Sequence, residues 1–400
     1  MMQPFDNAED GKQNAVEFEL SRCPILIVDD DDLICDFVKM HLEIDGFQNI
    51  EIALNGALAL EKVETFNPDL MILDMSMPVL DGFGVLRQLR ANSETADLPV
   101  LVTTALDTHE GRNEILRHGA TNYITKPIDG ELLIQRSRDL LERRLLLSEL
   151  TRYRNRLENE LAAARDMQGE IIPSKEDARE IAGRYGCEIS SHYRSSSELG
   201  GDSWGIRALD DSRFMIFIAD FAGHGVAAAL NTFRLDAIIK EIDRPPSSPA
   251  AFLSNVNTSL HQLLQPGQFA TMLCAIVEPS KDRLVFAGAA SPEPIVGSSL
   301  SNEARLEDAS GVLLGARHGS TYEDRVIDFP EGSFLFLFSD ALFESPRKDG
   351  SSIETEGVLD LAVKALETKA RNPLDFVLDR FDAAVEHPLT DDLTTVWLSR

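Results

Sequence analysis

The stretch PILIVDDDD, residues 24–32, decides the fold of the first part of the chain. Residues 24–28 are continuously apolar, which is typical of a strand buried on both faces of a parallel sheet. The four aspartates that follow lead into an amphipathic segment containing Leu33, Phe37 and Leu42. The stretch therefore predicts a buried strand that ends in carboxylates and continues into a helix.

The same rhythm recurs further along the chain. Strand-like runs, with helical stretches between them, occur at residues 50–53, 70–73, 100–103 and 122–125. Five strands alternating with five helices predict an α/β domain with a doubly wound, five-stranded parallel sheet. We place this domain at residues 22–140, after a disordered tail at residues 1–21.

Reactive side chains are expected where the strands of such a sheet end, because ligands bind at the carboxyl ends of parallel strands. The residues at these ends are Asp29, Asp30, Asp74, Thr104 and Lys126. Three converging carboxylates repel one another unless a hard cation lies among them, and Mg²⁺ prefers oxygen ligands. A carboxylate beside Mg²⁺ can attack a phosphoryl group, while lysine and threonine contact the phosphoryl oxygens. The pattern predicts a phosphate-accepting magnesium site.

Residues 23–140 resemble the receiver domains of response regulators. The resemblance lies in the motifs IVDD (27–30), DLMILDMSMP (69–78), DG (81–82), TTA (103–105) and KP (126–127). It implies that Asp74 is the phospho-acceptor and that Lys126 contacts the phosphoryl group. The resemblance also implies that Mg²⁺ is held by Asp29, Asp30, Asp74 and the Ser76 carbonyl. It implies that Thr104 and Tyr123 form the switch pair, whose side chains respond to phosphorylation. The phosphodonor would be a sensor histidine kinase or a phosphotransfer protein.

The segment 141–173 reads as a helical linker. From Gly130 to about Ile172 there is no proline, and residues spaced three or four apart form a seam: Leu146, Leu150, Tyr153, Leu157, Leu161, Ala164, Gln168 and Ile171. Such a narrow seam favours a parallel two-stranded coiled coil, with a stutter between Tyr153 and Leu161, and hence a homodimer. The alternative is a single helix that packs its seam against the neighbouring domain.

The remaining residues, 174–400, change to a different pattern. Apolar strand-like runs occur at 213–219, 269–277, 284–287, 333–338 and 393–398, and helical stretches follow Gly225 and span 251–264 and 358–381. Sheets and helices without strict alternation predict an α+β domain, here an αββα sandwich.

Aspartates stand at the ends of these apolar strands: Asp202, Asp220, Asp340, Asp391 and Asp392. Such carboxylates cannot be buried in the ionised form without a counter-charge. Several at one site indicate a pair of divalent cations, which can generate a hydroxide for attack on a phosphate ester. His224, between two glycines, is as good a candidate for orienting a turn as for moving protons.

Residues 185–400 resemble the PP2C-type Ser/Thr phosphatases, in the bacterial branch that acts on anti-sigma-factor antagonists. The motifs are GGD (200–202), DFAGHG (220–225), FAT (269–271), the glycines at 311 and 315, SD (339–340) and DDLT (391–394). The resemblance implies that two Mn²⁺ or Mg²⁺ ions are held by Asp202, Asp220, Asp340, Asp391 and the Phe221 carbonyl, with Asp392 instead of or beside Asp391.

Three departures from the family pattern concern neighbours of these ligands. Ala289 and Ala290 stand where the family usually has a histidine motif, Gly205 replaces a common acidic residue, and Ala341 replaces a glycine. None removes a ligand, so they bear on substrate contacts and turnover rather than on the chemistry.

The composition indicates which kinds of partner the protein binds and in which compartment it lies. A net charge of −29 argues against nucleic-acid binding, since the phosphate backbone would repel the chain. The four cysteines are widely separated, and no basic leader or membrane-spanning apolar run is present. We expect a cytoplasmic protein with reduced thiols and no membrane partner.

Together these observations predict a two-component response regulator. Its receiver, phosphorylated on Asp74, would control a metal-dependent phosphoserine/phosphothreonine protein phosphatase, with activation favoured over inhibition. The substrate would be a phosphorylated anti-sigma-factor antagonist in the partner switching of a general stress response. The alternative is a catalytically inactive adaptor that binds a sigma factor or regulator. The metal ligands favour the enzyme, whereas residues 263–269 resemble a segment of such an adaptor.

Overall fold

A computed structural model of the chain describes residues 17–105, 108–223, 225–242 and 244–400. It divides the chain into two compact units, which meet in sequence between Arg156 and Leu157. Most of the expected N-terminal tail and His224 lie outside the described residues. Within the described ranges, no helix has the length and apolar character needed to cross a bilayer.

The first unit contains a five-stranded sheet in the order β2-β1-β3-β4-β5. The strands are β1 (Ile25–Val28), β2 (Ile50–Ala53), β3 (Leu70–Asp74), β4 (Val100–Thr104) and β5 (Asn122–Thr125), and all neighbours pair in parallel. β1, β3 and β4 are buried along their whole length, which explains their continuous apolar sequences. The predicted doubly wound sheet is confirmed.

Helices cover both faces of this sheet, at Asp32–Ile44, Gly56–Phe66, Gly82–Ala91, His109–Arg117 and the start of Gly130–Ile171. They enclose two separate apolar cores, one on each face. The ordered fold begins earlier than residue 22, because residues 17–20 are helical and Leu20 is only 2% exposed. Leu20 packs with Cys23 and Leu42, so the end of the expected disordered tail belongs to the core.

A single helix of 42 residues, Gly130–Ile171, begins in the first unit and ends in the second. Its first turns are buried in the first unit through Leu133, Leu140 and Leu141. The predicted seam is then exposed, with Leu146, Leu150 and Tyr153 at 66%, 64% and 63%. Near its end the same helix buries Gln168 within the second unit. We call Gly130–Ile171 the linker helix.

The second unit consists of two five-stranded antiparallel sheets, in the orders β13-β10-β9-β8-β7 and β12-β11-β14-β15-β6. The strands of the first sheet are β7 (Asp202–Asp210), β8 (Arg213–Phe221), β9 (Ala270–Glu278), β10 (Arg283–Ala289) and β13 (Arg325–Asp328). Those of the second are β6 (Glu188–Arg194), β11 (Ile295–Ser298), β12 (Glu303–Leu306), β14 (Ser333–Phe338) and β15 (Leu393–Ser399).

The sheets pack face to face around a core that includes Trp204, Phe286 and Val396. Helices Val226–Glu241 and Pro249–Leu263 cover the outer face of one sheet, and Glu354–Glu367 and Pro373–Ala384 cover the other. The shorter helices are Lys175–Arg184 and Ala341–Glu344, with a 3₁₀ turn at Pro279–Lys281. The predicted αββα sandwich is confirmed.

The helix predicted across residues 358–381 is instead two helices, Glu354–Glu367 and Pro373–Ala384. The chain turns between them, where Lys369 adopts a left-handed φ of 49°. The second helix then starts with Pro373 in its first turn, and the Asn372 side chain accepts the Leu374 N–H. Proline with a capping asparagine is a common helix start, which accounts for the break.

Candidate functional sites: two carboxylate clusters

The first cluster lies where β1 and β3 end. Carboxylate oxygens of Asp29, Asp30 and Asp74 all lie within 4.8 Å of one another, the one such trio found in the part of the chain that the structure describes. Asp29 and Asp74 are buried, whereas Asp30 is exposed. Parallel neighbouring strands bring these residues to one edge of the sheet, as the sequence predicts.

Lys126, just after β5, partly balances this charge. Its Nζ lies 3.0 Å from Asp29 Oδ2 and 2.9 Å from Asp74 Oδ1. Burial raises the pKa of Asp29, although the hydrogen bonds from the Asp31 backbone and Lys126 oppose this effect. The three carboxylates exceed the single ammonium by two negative charges, which is the charge that a divalent cation would neutralise. The donor set fits Mg²⁺.

The other predicted receiver residues surround this cluster. The Ser76 backbone N–H donates to Asp74 Oδ2 over 3.2 Å, which places the Ser76 peptide beside the acceptor. Thr104 is buried at the end of β4. Tyr123 pairs with Val102 in the β4–β5 register, two residues before the partner of Thr104, and its ring lies 5.8 Å from the Arg112 guanidinium carbon. Arg112 belongs to none of the sequence motifs that predict this site.

The second cluster lies at one end of the sandwich. Asp202 and Asp220 are cross-strand partners at the start of β7 and near the end of β8. Asp340 follows β14 and Asp391 precedes β15. These two strand ends are joined because the Ser339 N–H donates to the Thr394 carbonyl and the Thr394 N–H donates to Ser339 Oγ, each over 2.9 Å.

The electrostatics of this cluster favour binding of a positive charge. Burial and the neighbouring charges of Asp340 and Asp391 raise the pKa of Asp220 to about 8. Burial, Asp391 and Glu344 raise the pKa of Asp340 to about 6. Burial and the charge of Asp220 also raise the pKa of Asp202 well above its ordinary value.

Asp202 supplies an independent test of whether the residues fit a metal. Its Oδ2 atom is buried and has no hydrogen-bond partner among the described residues. A buried carboxylate oxygen without a donor is costly unless a cation contacts it. The Phe221 backbone lies alongside, since its N–H donates to the Gly201 carbonyl over 3.2 Å. The four aspartates therefore fit divalent cations, although their oxygens are spread more widely than those of the first cluster.

Asp392 plays a different part from Asp391. Its buried carboxylate accepts hydrogen bonds from the Gly201 N–H at 2.5 Å, the Ser196 N–H at 2.7 Å, and the Ser196 and Ser195 hydroxyls at 3.0 and 3.2 Å. Four donors thus occupy its two oxygens. Asp391 is exposed, and its charge lies close enough to Asp340 to raise the pKa of Asp340. The geometry favours Asp391 as the cation ligand and Asp392 as the residue that fixes the Gly200–Gly201 turn.

Gln168 of the linker helix contacts this same turn. It is 3% exposed, its Nε2 donates to the Gly200 carbonyl at 2.7 Å and to Thr232 Oγ1 at 3.1 Å, and its Oε1 accepts the Gly200 N–H at 3.1 Å. The sequence predicts that Gln168 belongs to the linker seam. A polar residue at a seam position is a signal that it contacts a different partner, here the Gly200 turn.

Comparisons with known proteins agree with both halves of this description. Residues 25–138 match the family model of the response regulator receiver domain. Residues 210–400 match that of Stage II sporulation protein E.

The curated relatives that match part of this chain include two regulators, one from Synechocystis and one from Mycobacterium ulcerans. The "DNA-binding dual master transcriptional regulator RpaA" of Synechocystis is 40% identical over 119 residues, covering 30% of this chain and 49% of that protein. The "Response regulator MprA" of Mycobacterium ulcerans is 42% identical over 119 residues, covering 30% and 50%. The chain spans about half the length of these curated relatives.

Among solved structures, the "SiaA-PP2C domain of Pseudomonas aeruginosa" is similar to the second unit in fold. The TM-score is 0.56 at 19% sequence identity, covering 63% of this chain and 99% of that one. An identity this low supports a shared fold and carries no information about activity.

Proposed function

Because this chain joins a response regulator receiver domain to a PP2C-type domain of the Stage II sporulation protein E family, we propose that it is a phosphorylation-controlled protein phosphatase. Its substrate is a phosphoserine or phosphothreonine of a partner protein, which we take to be an anti-sigma-factor antagonist. The observation that carries the proposal is the convergence of four aspartates at one end of the sandwich, with a buried oxygen of Asp202 left without a partner.

In the receiver, Asp74 is the proposed nucleophile. Its carboxylate attacks the phosphorus of a phosphodonor, such as a phosphohistidine of a sensor kinase or phosphotransfer protein, and the donor nitrogen leaves with the bonding electrons. Lys126, 2.9 Å from Asp74, is placed to pair with a phosphoryl oxygen. Mg²⁺ held by Asp29, Asp30, Asp74 and the Ser76 carbonyl would neutralise charge on the transferred group.

In the second unit, Asp202, Asp220, Asp340 and Asp391 would hold two Mn²⁺ or Mg²⁺ ions together with the Phe221 carbonyl. Such a pair supplies a hydroxide nucleophile and stabilises the leaving oxygen of the phosphate ester. Asp392 would hold the Gly200–Gly201 turn, and so position Asp202, through its bond from the Gly201 N–H. The three bonds from Ser195 and Ser196 fix the Asp392 carboxylate itself.

The linker helix is the proposed route of control. Phosphorylation of Asp74 would shift Thr104 and Tyr123 and favour pairing of two chains along the exposed Leu146–Tyr153 seam. Pairing as a coiled coil would order the linker helix, whose Gln168 holds the Gly200 turn. On this account phosphorylation activates the phosphatase, because it favours the arrangement in which Asp202 is in place.

The proposed compartment is the cytoplasm. All four cysteines are free and buried, as expected where thiols stay reduced. The net charge of −29 fits a protein partner rather than a nucleic acid.

Phosphate release by the full-length protein tests the proposal. With Mn²⁺ and either p-nitrophenyl phosphate or a phosphoserine peptide, we expect turnover that rises after treatment with acetyl phosphate and Mg²⁺. Asp220→Ala and Asp340→Ala should each lose at least ~100-fold in rate, since a change in the outer shell of a metal site alone can cost about that much.

Glu331→Gln serves as the matched control for these variants. Glu331 is exposed and precedes β14, at the opposite end of that strand from Asp340, so its loss should leave the rate unchanged. Near-full Mn²⁺-dependent activity in both aspartate variants would refute the site. Absence of turnover in the wild type, with retained binding of a regulator, would point to the adaptor instead.

A further inference from the structure

A cavity of about 290 Å³ opens beside the second carboxylate cluster. Asp220 and Asp340 line it, together with other residues that include Thr271, Pro292, Phe343 and Glu344. A phosphorylated side chain that reaches Asp220 and Asp340 must be carried by a peptide whose neighbouring residues pass this cavity. We call it the flank pocket.

Glu344 gives the flank pocket its charge. It ends the single-turn helix Ala341–Glu344, and its backbone N–H donates to the Asp340 carbonyl over 2.9 Å. The side chain is exposed and has no ion-pair partner in the described part of the chain. Two divalent cations would neutralise the four aspartates of the cluster, but they would leave the charge of Glu344 uncompensated.

The apolar residues that line the flank pocket suit the methylene chain of a long side chain. Phe343 and Pro292 are half-buried and present apolar surface to the same cavity as Asp220, Asp340 and Glu344. Lysine and arginine characteristically lay their methylene groups on such surface while the charged head stays near water. An acidic residue at the exposed side of an apolar slot is therefore complementary to these two side chains and repels aspartate and glutamate.

The backbone next to Pro292 is also unusual. Ala290, which lines the cavity, has a φ of 52°, in the left-handed region. That conformation costs an alanine about 1 kcal/mol, and such strain is concentrated at functional sites. The loop shape that forms this wall is thus retained against a local cost.

We propose that the flank pocket binds a lysine or arginine side chain next to the phosphorylated residue of the substrate, and that Glu344 selects it. The inference rests on the proposed phosphatase function, and it specifies that the substrate carries a positive charge beside the phosphorylated residue.

The test compares phosphoserine peptides that carry arginine, alanine or glutamate at a single position and are otherwise identical. The varied position lies close to the phosphoserine, on its N-terminal side in one series and on its C-terminal side in another. For the full-length protein with Mn²⁺, we expect kcat/KM to be about fivefold higher for the best arginine peptide than for its alanine counterpart, the effect of one partly exposed charge pair. In Glu344→Gln the ratio should fall close to one, and in Glu344→Arg the glutamate peptide should become the better substrate. Glu331→Gln should keep the wild-type ratio.

Two results would overturn the inference: a wild type with no preference for arginine, or a preference that survives in Glu344→Gln. Hydrolysis of p-nitrophenyl phosphate measures phosphatase activity independently of the peptide. An enzyme that hydrolyses this compound but shows no charge preference among the peptides therefore refutes the role of the flank pocket and leaves the proposed phosphatase function intact. If nothing is hydrolysed, the proposed function fails. The ratio of Kd values for fluorescein-labelled arginine and alanine peptides, from fluorescence anisotropy, then still decides whether Glu344 selects a cation.

Discussion

Replacing Gln168 by leucine tests the linker contact most directly. Leucine has a similar size but offers neither a donor nor an acceptor. The substitution removes both hydrogen bonds to Gly200 and the bond to Thr232, whereas Thr232 Oγ1 keeps its own bond to the Ala229 carbonyl at 2.7 Å. The N–H and the carbonyl of Gly200 would then be buried without partners.

The magnitude follows from these two orphaned groups. Each costs about 1–3 kcal/mol when left unsatisfied in the interior, so the intact turn loses about 2–6 kcal/mol. Because a glycine turn can shift toward water, we expect a value near the lower end, about 3 kcal/mol. A loss of that size lowers the Tm of a domain this large by about 6–12 °C. A turn that moves also misplaces Asp202, so the apparent Mn²⁺ affinity should weaken by about 10-fold to 100-fold.

Two measurements on the full-length protein check this expectation: thermal unfolding, and phosphatase rate as a function of Mn²⁺ concentration. Gln168→Glu keeps an acceptor for the Gly200 N–H but turns a buried carboxylate toward the Gly200 carbonyl, so it should be at least as destabilising as Gln168→Leu at neutral pH. Gln135→Leu is the matched control, since Gln135 is an exposed glutamine on the same helix. If Gln168→Leu matched Gln135→Leu in both Tm and Mn²⁺ dependence, the contact would have no part in positioning Asp202.

Three further outcomes are expected. Acetyl phosphate with Mg²⁺ should label the wild type but not Asp74→Asn, and equal labelling of the variant would contradict the assignment of the acceptor. The metal-free pKa of Asp220 is raised to about 8, so binding of Mn²⁺ must displace a proton below that pH. The affinity for Mn²⁺ measured by calorimetry should therefore rise by roughly fivefold to tenfold per pH unit between pH 6 and pH 8, and more steeply below pH 6, where Asp340 is protonated as well. An affinity that does not change with pH would refute the protonated cluster. The double variant Leu150→Glu/Leu157→Glu should still be labelled on Asp74 but should lose its phosphatase response, and a full response would exclude pairing through the linker helix.

The first unit could be predicted from sequence almost completely. β1, β3 and β4 are buried on both faces, so each appears as an uninterrupted apolar run bounded by polar residues. The site followed from topology, because parallel strands bring their carboxyl ends to one edge. Two features were missed: Arg112, which faces Tyr123 from another element, and the helical residues 17–20, which lie within the expected disordered tail.

The second unit was harder to predict for physical reasons. β12 and β13 are four-residue strands, and β6 is largely polar, so none stands out as an apolar run. Motif resemblance supplied the aspartates but could not separate Asp391 from Asp392. That separation depends on donors from Ser195, Ser196 and Gly201, which are distant in sequence.

In the proposed mechanism, the two adjacent glycines of the turn would connect regulation with chemistry. A side chain at Gly200 would overlap the Tyr193 hydroxyl and the Asp392 carboxylate, so any larger residue would force these two side chains to move. Gln168 binds the N–H and the carbonyl of Gly200, and Asp392 binds the N–H of Gly201. Asp202 is the next residue in the sequence. A change of about 1.4 kcal/mol shifts a two-state balance tenfold. The ~3 kcal/mol expected from the Gln168 contacts is therefore enough to move the turn between a state that holds Asp202 in place and one that does not. Ordering or loosening the end of one helix could control the site without any contact between the receiver and the substrate.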